Sequence, residues 1–450
     1  MSGLFIFLVI FLAVVCMVLA ISKFNQHPFI VLTVIAIAVG LVCKIPTEEV
    51  INTVKSGFGN ILASIGIVIL AGTIIGTILE KTGAALTMAN TILKMVGKKN
   101  SVLTMAITGY VTGIPVFCDS GFVILSPISR ALASQSNVSL AVMATALSGG
   151  LYATHCLVPP TPGPIAMAGT LEADLGLTIM VGLLVSIPAT LSALFYAKKV
   201  SGKIDIPANP EYTVDELLQK YGKLPGALHS FSPILLPIVL IALKSVGDFP
   251  SAPFGDGVVK MLFSFIGNPV IALILGVFLA MTLVPAAEKK NTLSWITEGV
   301  TNSAGILAIT GAGGAFGAIL QKLPIADTLS ASLLGLGVGV FLPFIIAALL
   351  KTAMGASTVA MITTSAMIAP LMPALGFTTP LAKVLVIMAI GAGSMTVSHA
   401  NDSYFWVVSQ FSDMGTKDAY KCQTGMTGVM GIVTIIIVFI LSLVFCGVHS

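Results

Sequence analysis

Long apolar runs dominate the chain. They lie near residues 3–21, 28–43, 59–79, 175–197, 232–246, 263–286, 301–320 and 424–447. A membrane helix needs ~20 mostly apolar residues, so these runs predict spanning helices. Two further zones, 101–170 and 333–411, are apolar but interrupted by Gly, Pro, Asn, Asp and His. Each is too long for one span and too broken for regular ones. The one long polar stretch begins near 198 and carries Lys198, Lys199, Lys203, Lys220, Lys223 and a Pro-rich IDIPANPEYT. It predicts a linker over 199–230 between two units, 1–198 and 231–450.

The two units repeat. HPFIVL at 27–32 matches NPVIAL at 268–273, an offset of 241. The same offset aligns AGTIIGTILEKTGAALT (71–87) with AGGAFGAILQKLPIADT (312–328), with Gly72/Gly313 and Gly76/Gly317 among the identities. At an offset of 244, Gly149 meets Gly393 and His155 meets His399. Each unit reads as three spans, an interrupted segment, a broken span and a final span. If the interrupted segment is a re-entrant hairpin, each unit crosses the membrane five times. An odd number inverts the second unit relative to the first, a signature of transporters. The expected fold is an all-α polytopic membrane protein with two inverted repeats. It would have about ten spanning helices, two re-entrant hairpins and two discontinuous helices.

Composition narrows the class. The chain has 450 residues, 56% hydrophobic and 9% charged, and a mean hydropathy of +1.04. A soluble domain is about one quarter charged, so an ordinary soluble enzyme is excluded. The net charge is +4 and Arg130 is the one arginine, which leaves no basic face for a nucleic acid. The six cysteines are scattered without ligand spacing, so disulfides, zinc and other metal sites are not expected. The N-terminus, MSGLFIFLVIFLAVV, lacks a basic leader and reads as a retained first span.

Charge also gives an orientation. With the central linker inside, most basic residues fall inside; Lys44, Lys55, Lys244, Lys260, Lys322, Lys351 and Lys383 fall outside. Both termini are then expected to be periplasmic or extracellular.

Four ionisable groups remain at membrane depth: Asp119, His155, His399 and Asp402. Such groups are costly in hydrocarbon and are functional candidates by default. All four fall in the interrupted zones. TGIPVFCDSGFVILSPISR (112–130) is broken by Gly113, Pro115 and Gly121, and places Asp119 and Ser120 at the break. GGLYATHCLVPPTPGP (149–164) has four prolines and reads as a discontinuous helix, with Thr154, His155 and Thr161 at its gap. KTAMGASTVAMITTSAMIAP (351–370) presents Ser357 and Thr358 at a small polar tip, the second hairpin. TVSHANDSYFWVVSQ (396–410) gathers Ser398, His399, Asn401, Asp402 and Ser403 within six positions. Half-helix N-termini at such gaps suit a carboxylate. A structural reading stands beside each: a kinked span, a satisfied core histidine, plain helix packing. It is most strained for the last segment.

Other classes lack their motifs. No GxxxxGK[ST] occurs, so ATP-driven transport is not encoded here. No channel-type filter or Arg-rich sensor is present, nor a nucleophile–base pair in an enzymatic context.

These residues resemble the gluconate permease family of proton symporters. HPF at 27–29, GIPVFCDSGFVILSPI at 113–128 and THCLVPPTPGP at 154–164 carry the resemblance in the first unit. TGAGGAFGAIL at 310–320, GASTVA at 355–360 and SHANDSYFW at 398–406 carry it in the second. It covers essentially the whole chain, in order. It implies a bacterial inner-membrane protein that imports gluconate or a related small hydroxycarboxylate with protons. Within the larger group that includes dicarboxylate carriers, it implies inverted repeats, two hairpins, a homodimeric scaffold and elevator-like motion. Many relatives have His where this chain has Thr161, and many differ around Cys118–Asp119. The acid carried thus stays open, with D-serine and hydroxybutyrate-like substrates as alternatives.

The expected mechanism is secondary transport without a cofactor. Carboxylate and hydroxyls would meet Ser120, Thr154, Thr161, Ser357, Thr358, Ser398, Asn401 and Ser403. Asp119, His155, His399 and Asp402 would carry the proton. With Arg130 expected at the cytoplasmic mouth, helix dipoles and protons would neutralise the substrate. A sodium-coupled carboxylate carrier and an anion channel on the same fold are the alternatives.

Overall fold

The computed structural model describes the chain except residues 1–2, 23, 25, 98–99, 209–215, 217–223, 248–256, 324–338, 400–401 and 447–450. Among the described residues every regular element is helical. The first half holds α1 (Gly3–Ser22), α2 (Pro28–Val42), α3 (Thr47–Lys81), α4 (Ala84–Val96), α5 (Ser101–Thr112), α6 (Cys118–Ser136), α7 (Leu140–Leu157), α8 (Pro162–Thr170) and α9 (Leu175–Lys199). The second holds α10 (Ala227–Gly247), α11 (Val258–Ile266), α12 (Pro269–Thr282), α13 (Thr292–Gln321), α14 (Phe341–Met354), α15 (Ser357–Ile368), α16 (Pro380–Met395) and α17 (Ser403–Phe411). A short α18 (Thr416–Ala419) and a π-helical turn at Tyr420–Thr424 lead into α19 (Gly425–Cys446).

The repeated sequence motifs have local structural causes. HPF and NPV are helix starts. His27 accepts from the Phe29 amide and Asn268 from the Val270 amide, each followed by Pro at the first helical position. The side chain satisfies one orphan N–H, and proline removes another that would have no partner. The AGxxxG pair serves close packing. A Cβ on Gly72 would lie 2.8 Å from the Pro160 carbonyl, and one on Gly76 would lie 2.6 Å from that of Pro115. One glycine-lined face of α3 therefore admits the backbone of two separate helix breaks.

Among the described residues six helical segments are long and apolar enough to cross a membrane, or seven if α11 and α12, bent by 64°, count as one. Several other helices are shorter, so the sequence expectation of about ten crossings is not met by long helices alone. α3 and α13 pack along each other, α5 packs on α7, and α14 on α16. Every residue of α7 is buried, whereas α19 exposes Ile432, Ile436, Ile440 and Leu443 along one face. That face suits lipid, because in a bilayer the apolar stripe points outward and small residues point in. The pairing of His155 with His399 does not carry over. His155 lies within α7, two residues before its end, and His399 lies four residues beyond the end of α16.

Candidate functional site

Four breaks interrupt the helices around α7. They fall at 113–117 between α5 and α6, 158–161 between α7 and α8, 355–356 between α14 and α15, and 396–402 between α16 and α17. Residues 400–401 of the last lie outside the described residues. Gly and Pro mark the first three breaks in the sequence, whereas the fourth is marked by its polar side chains. Gly355 ends α14 at φ +78, a conformation that only glycine adopts freely. The Pro159–Pro160 bond is cis.

The fourth break holds Val397 at φ 58. A β-branched residue there is strained, so surrounding bonds must hold it. They come from the α18–α19 region. The Ser398 amide donates to Thr427 Oγ1 at 3.0 Å, and the Ser398 carbonyl accepts from Thr424 Oγ1 at 2.5 Å. The π-helical turn beside them is tied to α7 and α9: Ser148 donates to Gln423 at 2.7 Å, and Tyr196 to the Lys421 carbonyl at 2.7 Å.

A cavity of about 140 Å³ lies where three of these breaks meet. Phe117, Cys118 and Asp119 come from the start of α6, Ser357 and Thr358 from the start of α15, and Asp402, Ser403 and Tyr404 from the start of α17. His155 of α7 closes the wall. Three helix N-termini thus border one small cavity. Neither α6 nor α15 has a side-chain cap, whereas Asp402 caps α17 by accepting from the Tyr404 amide at 3.1 Å. Uncapped first-turn amides and aligned peptide dipoles favour an anion. The volume is below the ~300–1,000 Å³ of drug-sized sites, so the ligand it suits is small.

The charges are arranged in a pair and a single. Lys351 Nζ lies 2.6 Å from Asp402 Oδ2 and donates to the Gly355 carbonyl at 2.6 Å. It also stands 5.7 Å from the centre of the Tyr152 ring. Asp402 Oδ2 further accepts from Ser398 Oγ at 2.5 Å. A buried ion pair persists only when further hydrogen bonds satisfy both partners, and here both have them. Asp119 faces neutral donors instead. Its carboxylate accepts from Ser403 Oγ at 3.1 Å and lies 3.5 Å from Cys118 Sγ. His155 stacks on Tyr152 with ring centres 6.4 Å apart, and its Nδ1 has no hydrogen-bond partner among the described residues.

The structure brings Asp119, His155, Ser357, Thr358, Asp402 and Ser403 together at the cavity. The other expected residues stand elsewhere. Ser120 bonds to Glu80. Thr154 donates to the Gly150 carbonyl at 3.3 Å and Thr161 to that of Val158 at 2.6 Å, so both hydroxyls serve their own backbone. Ser398 holds Asp402 rather than lining the cavity. The His399 ring meets the Thr352 carbonyl at 2.9 Å, outside the cavity wall. Asn401 lies outside the described residues.

Lys351 was expected in an outer loop. It is instead fully buried and paired with Asp402. The signal was present: Lys351 follows the apolar FLPFIIAALL and precedes Gly355, and a lone lysine in such a run is an intramembrane charge. Among the described residues no group of three or more His, Cys, Asp or Glu is placed to hold a metal. A second cavity, of about 530 Å³, lies at the far ends of α8 and α15 beside Glu172 and Lys383. The nine residues of α8 separate it from the break, about 13 Å at the usual helical rise.

Comparison with known proteins gives one consistent picture. A family model described as GntP family permease matches residues 5–444. A permease of Haemophilus influenzae is 38% identical over 426 residues, covering 91% of this chain and 86% of that one. The gluconate permease of Pseudomonas aeruginosa is 30% identical over 440 residues, covering 96% of each. A D-serine transporter of Escherichia coli K12, DsdX, is 31% identical over 438 residues, covering 96% of this chain and 97% of the other. Among solved structures, the YdaH transporter of Alcanivorax borkumensis superposes with a TM-score of 0.67 at 13% identity, covering 94% of this chain and all of that one. MtrF of Neisseria gonorrhoeae gives 0.63 at 15% identity, covering 94% and 96%. The last two likenesses concern the fold.

Proposed function

This chain belongs to the GntP family of permeases, a multi-pass membrane secondary transporter rather than an enzyme, and from that premise we propose that it imports a small hydroxycarboxylate such as gluconate together with protons. One observation carries the reading. A cavity of about 140 Å³ bordered by three helix N-termini also contains two carboxylates, Asp119 and Asp402. The helix ends suit the anion, and the carboxylates suit the proton that must accompany it.

Substrate oxygens would meet Ser357, Thr358 and Ser403, with the uncapped amides of α6 and α15. Ser398 acts through Asp402. Ser120, Thr154 and Thr161 keep the breaks in shape. Asp119 and Asp402 carry protons. His155 stands at the same cavity as a proton donor or acceptor, and His399 offers a relay outside it. The second cavity, beside Glu172 and Lys383, is the approach to the site.

For the architecture we propose two inverted repeats, 1–198 and 231–450, joined by a cytoplasmic linker at 199–230. The matching nine-residue helices α8 and α17, whose starts are 241 residues apart, support the repeat. So do the two proline helix starts described above. Ten crossings follow if α7–α8 and α16–α17 are discontinuous spans and α5–α6 and α14–α15 are re-entrant hairpins. Movement of the cavity-bearing helices against a dimeric scaffold would give elevator-type access, with both termini on the periplasmic side of the inner membrane.

The identity to a D-serine transporter supports a second substrate, D-serine, which also presents one carboxylate and one hydroxyl. An uptake screen over C3–C6 hydroxy acids and D-amino acids tests the reading. It predicts competition by small hydroxylated monocarboxylates, and uptake of none of them would overturn it.

A further inference from the structure

Lys351 has no role in the transport reading above, yet it is a buried cation bonded directly to Asp402, a residue of the cavity wall. Its Nζ is held 2.6 Å from the carbonyl of Gly355, the residue two before α15 begins. It therefore stands at the positive end of α15, whose Ser357 and Thr358 line the cavity. Its anionic partner, Asp402, is itself a cavity residue. The group that neutralises the ammonium therefore faces the ligand space, and it can itself be neutralised by a single proton.

We propose that Lys351 exchanges partners during transport: it pairs with Asp402 in the empty protein and with the substrate carboxylate in the loaded one. The inference rests on the anion–proton reading of the cavity. The proton enters on Asp402 Oδ2, the atom that faces Lys351, and no covalent bond between heavy atoms changes. Neutral Asp402 keeps Ser398 and the Tyr404 amide as neighbours. The ammonium then lacks an anion, and a carboxylate against the α15 first turn supplies one.

Charge balance favours this exchange. Empty, the site holds a lysine–aspartate pair. Loaded, it holds a lysine–substrate pair and a neutral acid. The net charge of the group is zero in both, so neither form carries an extra buried charge through the membrane. An anion without its proton adds one negative charge, and a proton without an anion leaves Lys351 unpaired. One carboxylate is therefore coupled to one proton, and a monocarboxylate without a positive charge of its own is the matching substrate class. D-serine, whose ammonium cancels its carboxylate, would leave the loaded site one charge more positive and should bind more weakly. Titratable neighbours face the pair from every side: Cys118 and Asp119 of α6, Tyr152, His155 and Cys156 of α7, His399 of the break, and Tyr404 of α17. Asp119 is the nearest competitor for the proton, and Asp119→Asn therefore accompanies the test.

The test uses purified full-length protein and three probes, D-gluconate, D-glycerate and D-serine, titrated between about pH 5.5 and 8. Wild type should bind at least one, with affinity falling as pH rises. Asp402→Asn should bind that probe with little pH dependence, and should exchange it across proteoliposomes without net accumulation. Asp119→Asn, which removes the second carboxylate of the cavity, should still show affinity that falls as pH rises. Loss of that slope in Asp119→Asn with its retention in Asp402→Asn would give the proton to Asp119 and overturn the exchange. Lys351→Gln should lose roughly 10- to 100-fold in affinity at every pH, the usual weight of a hydrogen bond to a charge. Should Lys351→Gln alone fail to fold, Lys351→Gln/Asp402→Asn is the second variant, since it leaves no lone charge. It should run monodisperse and bind far more weakly than Asp402→Asn. Wild-type affinity in either Lys351 variant, or a wild-type pH slope in Asp402→Asn, would overturn the exchange while leaving the transport reading intact. Binding of none of the three probes by wild type would instead overturn the transport reading and the exchange with it.

Discussion

Lys351 Nζ lies 2.6 Å from Asp402 Oδ2, with the two side chains 0% and 5% exposed. Removing one partner of a buried pair strands the other charge, which costs about 3–5 kcal/mol, whereas replacing both is far milder. Lys351→Met should therefore unfold well before wild type in detergent. Lys351→Met/Asp402→Asn should recover most of that loss. Denaturant or thermal unfolding of wild type, Lys351→Met, Asp402→Asn and the double variant measures it. Additive losses in the double variant would mean that the pair is not coupled.

Transport should separate Asp402 from the groups around it. Asp402→Asn is expected to be made and inserted, though less stable than wild type because Lys351 loses its partner, and to lose concentrative uptake, because the acid that carries the proton is gone. Thr161→Ala should retain uptake, since its hydroxyl bonds only to backbone carbonyls. Uptake assays on matched amounts of protein decide both. Wild-type accumulation by Asp402→Asn would remove it from the coupling step.

The α3 glycines should be sensitive for a steric reason. A methyl group on Gly76 would sit 2.6 Å from the Pro115 carbonyl, inside van der Waals contact. Gly76→Ala should displace the break that leads into Asp119, and overpacking of this kind costs typically ~1–3 kcal/mol. Reduced uptake with a lower melting temperature is expected. Gly59→Ala is the control, because a Cβ there meets nothing within 4 Å.

Three of the breaks were legible in the sequence because Gly and Pro carry their backbone demands openly, and the fourth because Ser398, His399, Asn401, Asp402 and Ser403 crowd an apolar zone. Asp119, His155, Ser357, Thr358, Asp402 and Ser403 were legible because polar groups in apolar zones are conspicuous. What the sequence could not give was direction. Thr154 and Thr161 sit at the breaks as expected, but their hydroxyls turn to nearby carbonyls, as threonine in helices often does. Lys351 was obscured by counting lysines by side, which assumes that each lies in a loop. Its pairing with a residue 51 positions away is a tertiary fact.

Arg130 offers a pH test away from the cavity. It donates to Asp413 at 2.5 Å and to the Phe411 carbonyl at 2.9 Å, linking α6 to the end of α17. The hydrogen bond from Arg130 holds the Asp413 carboxyl below its usual value. A depressed acid stabilises the fold above its unfolded pKa, about 3.9, and loses that contribution as pH falls through the folded value. Asp413 is 56% exposed, so the effect should stay under about 1 kcal/mol. Asp413→Asn should cost that small contribution, under about 1 kcal/mol, at pH 7 and flatten the fall of stability below about pH 4, where the two proteins converge. A large loss at neutral pH would show a structural role beyond the ion pair.

The most direct test of proton-coupled import is uptake into proteoliposomes under an imposed pH gradient, acid outside, with labelled gluconate and D-serine. Accumulation above equilibrium that collapses with a proton uncoupler and is absent in Asp402→Asn is the predicted result. Accumulation that ignores the uncoupler and follows a sodium gradient, or equilibration without accumulation, would contradict it.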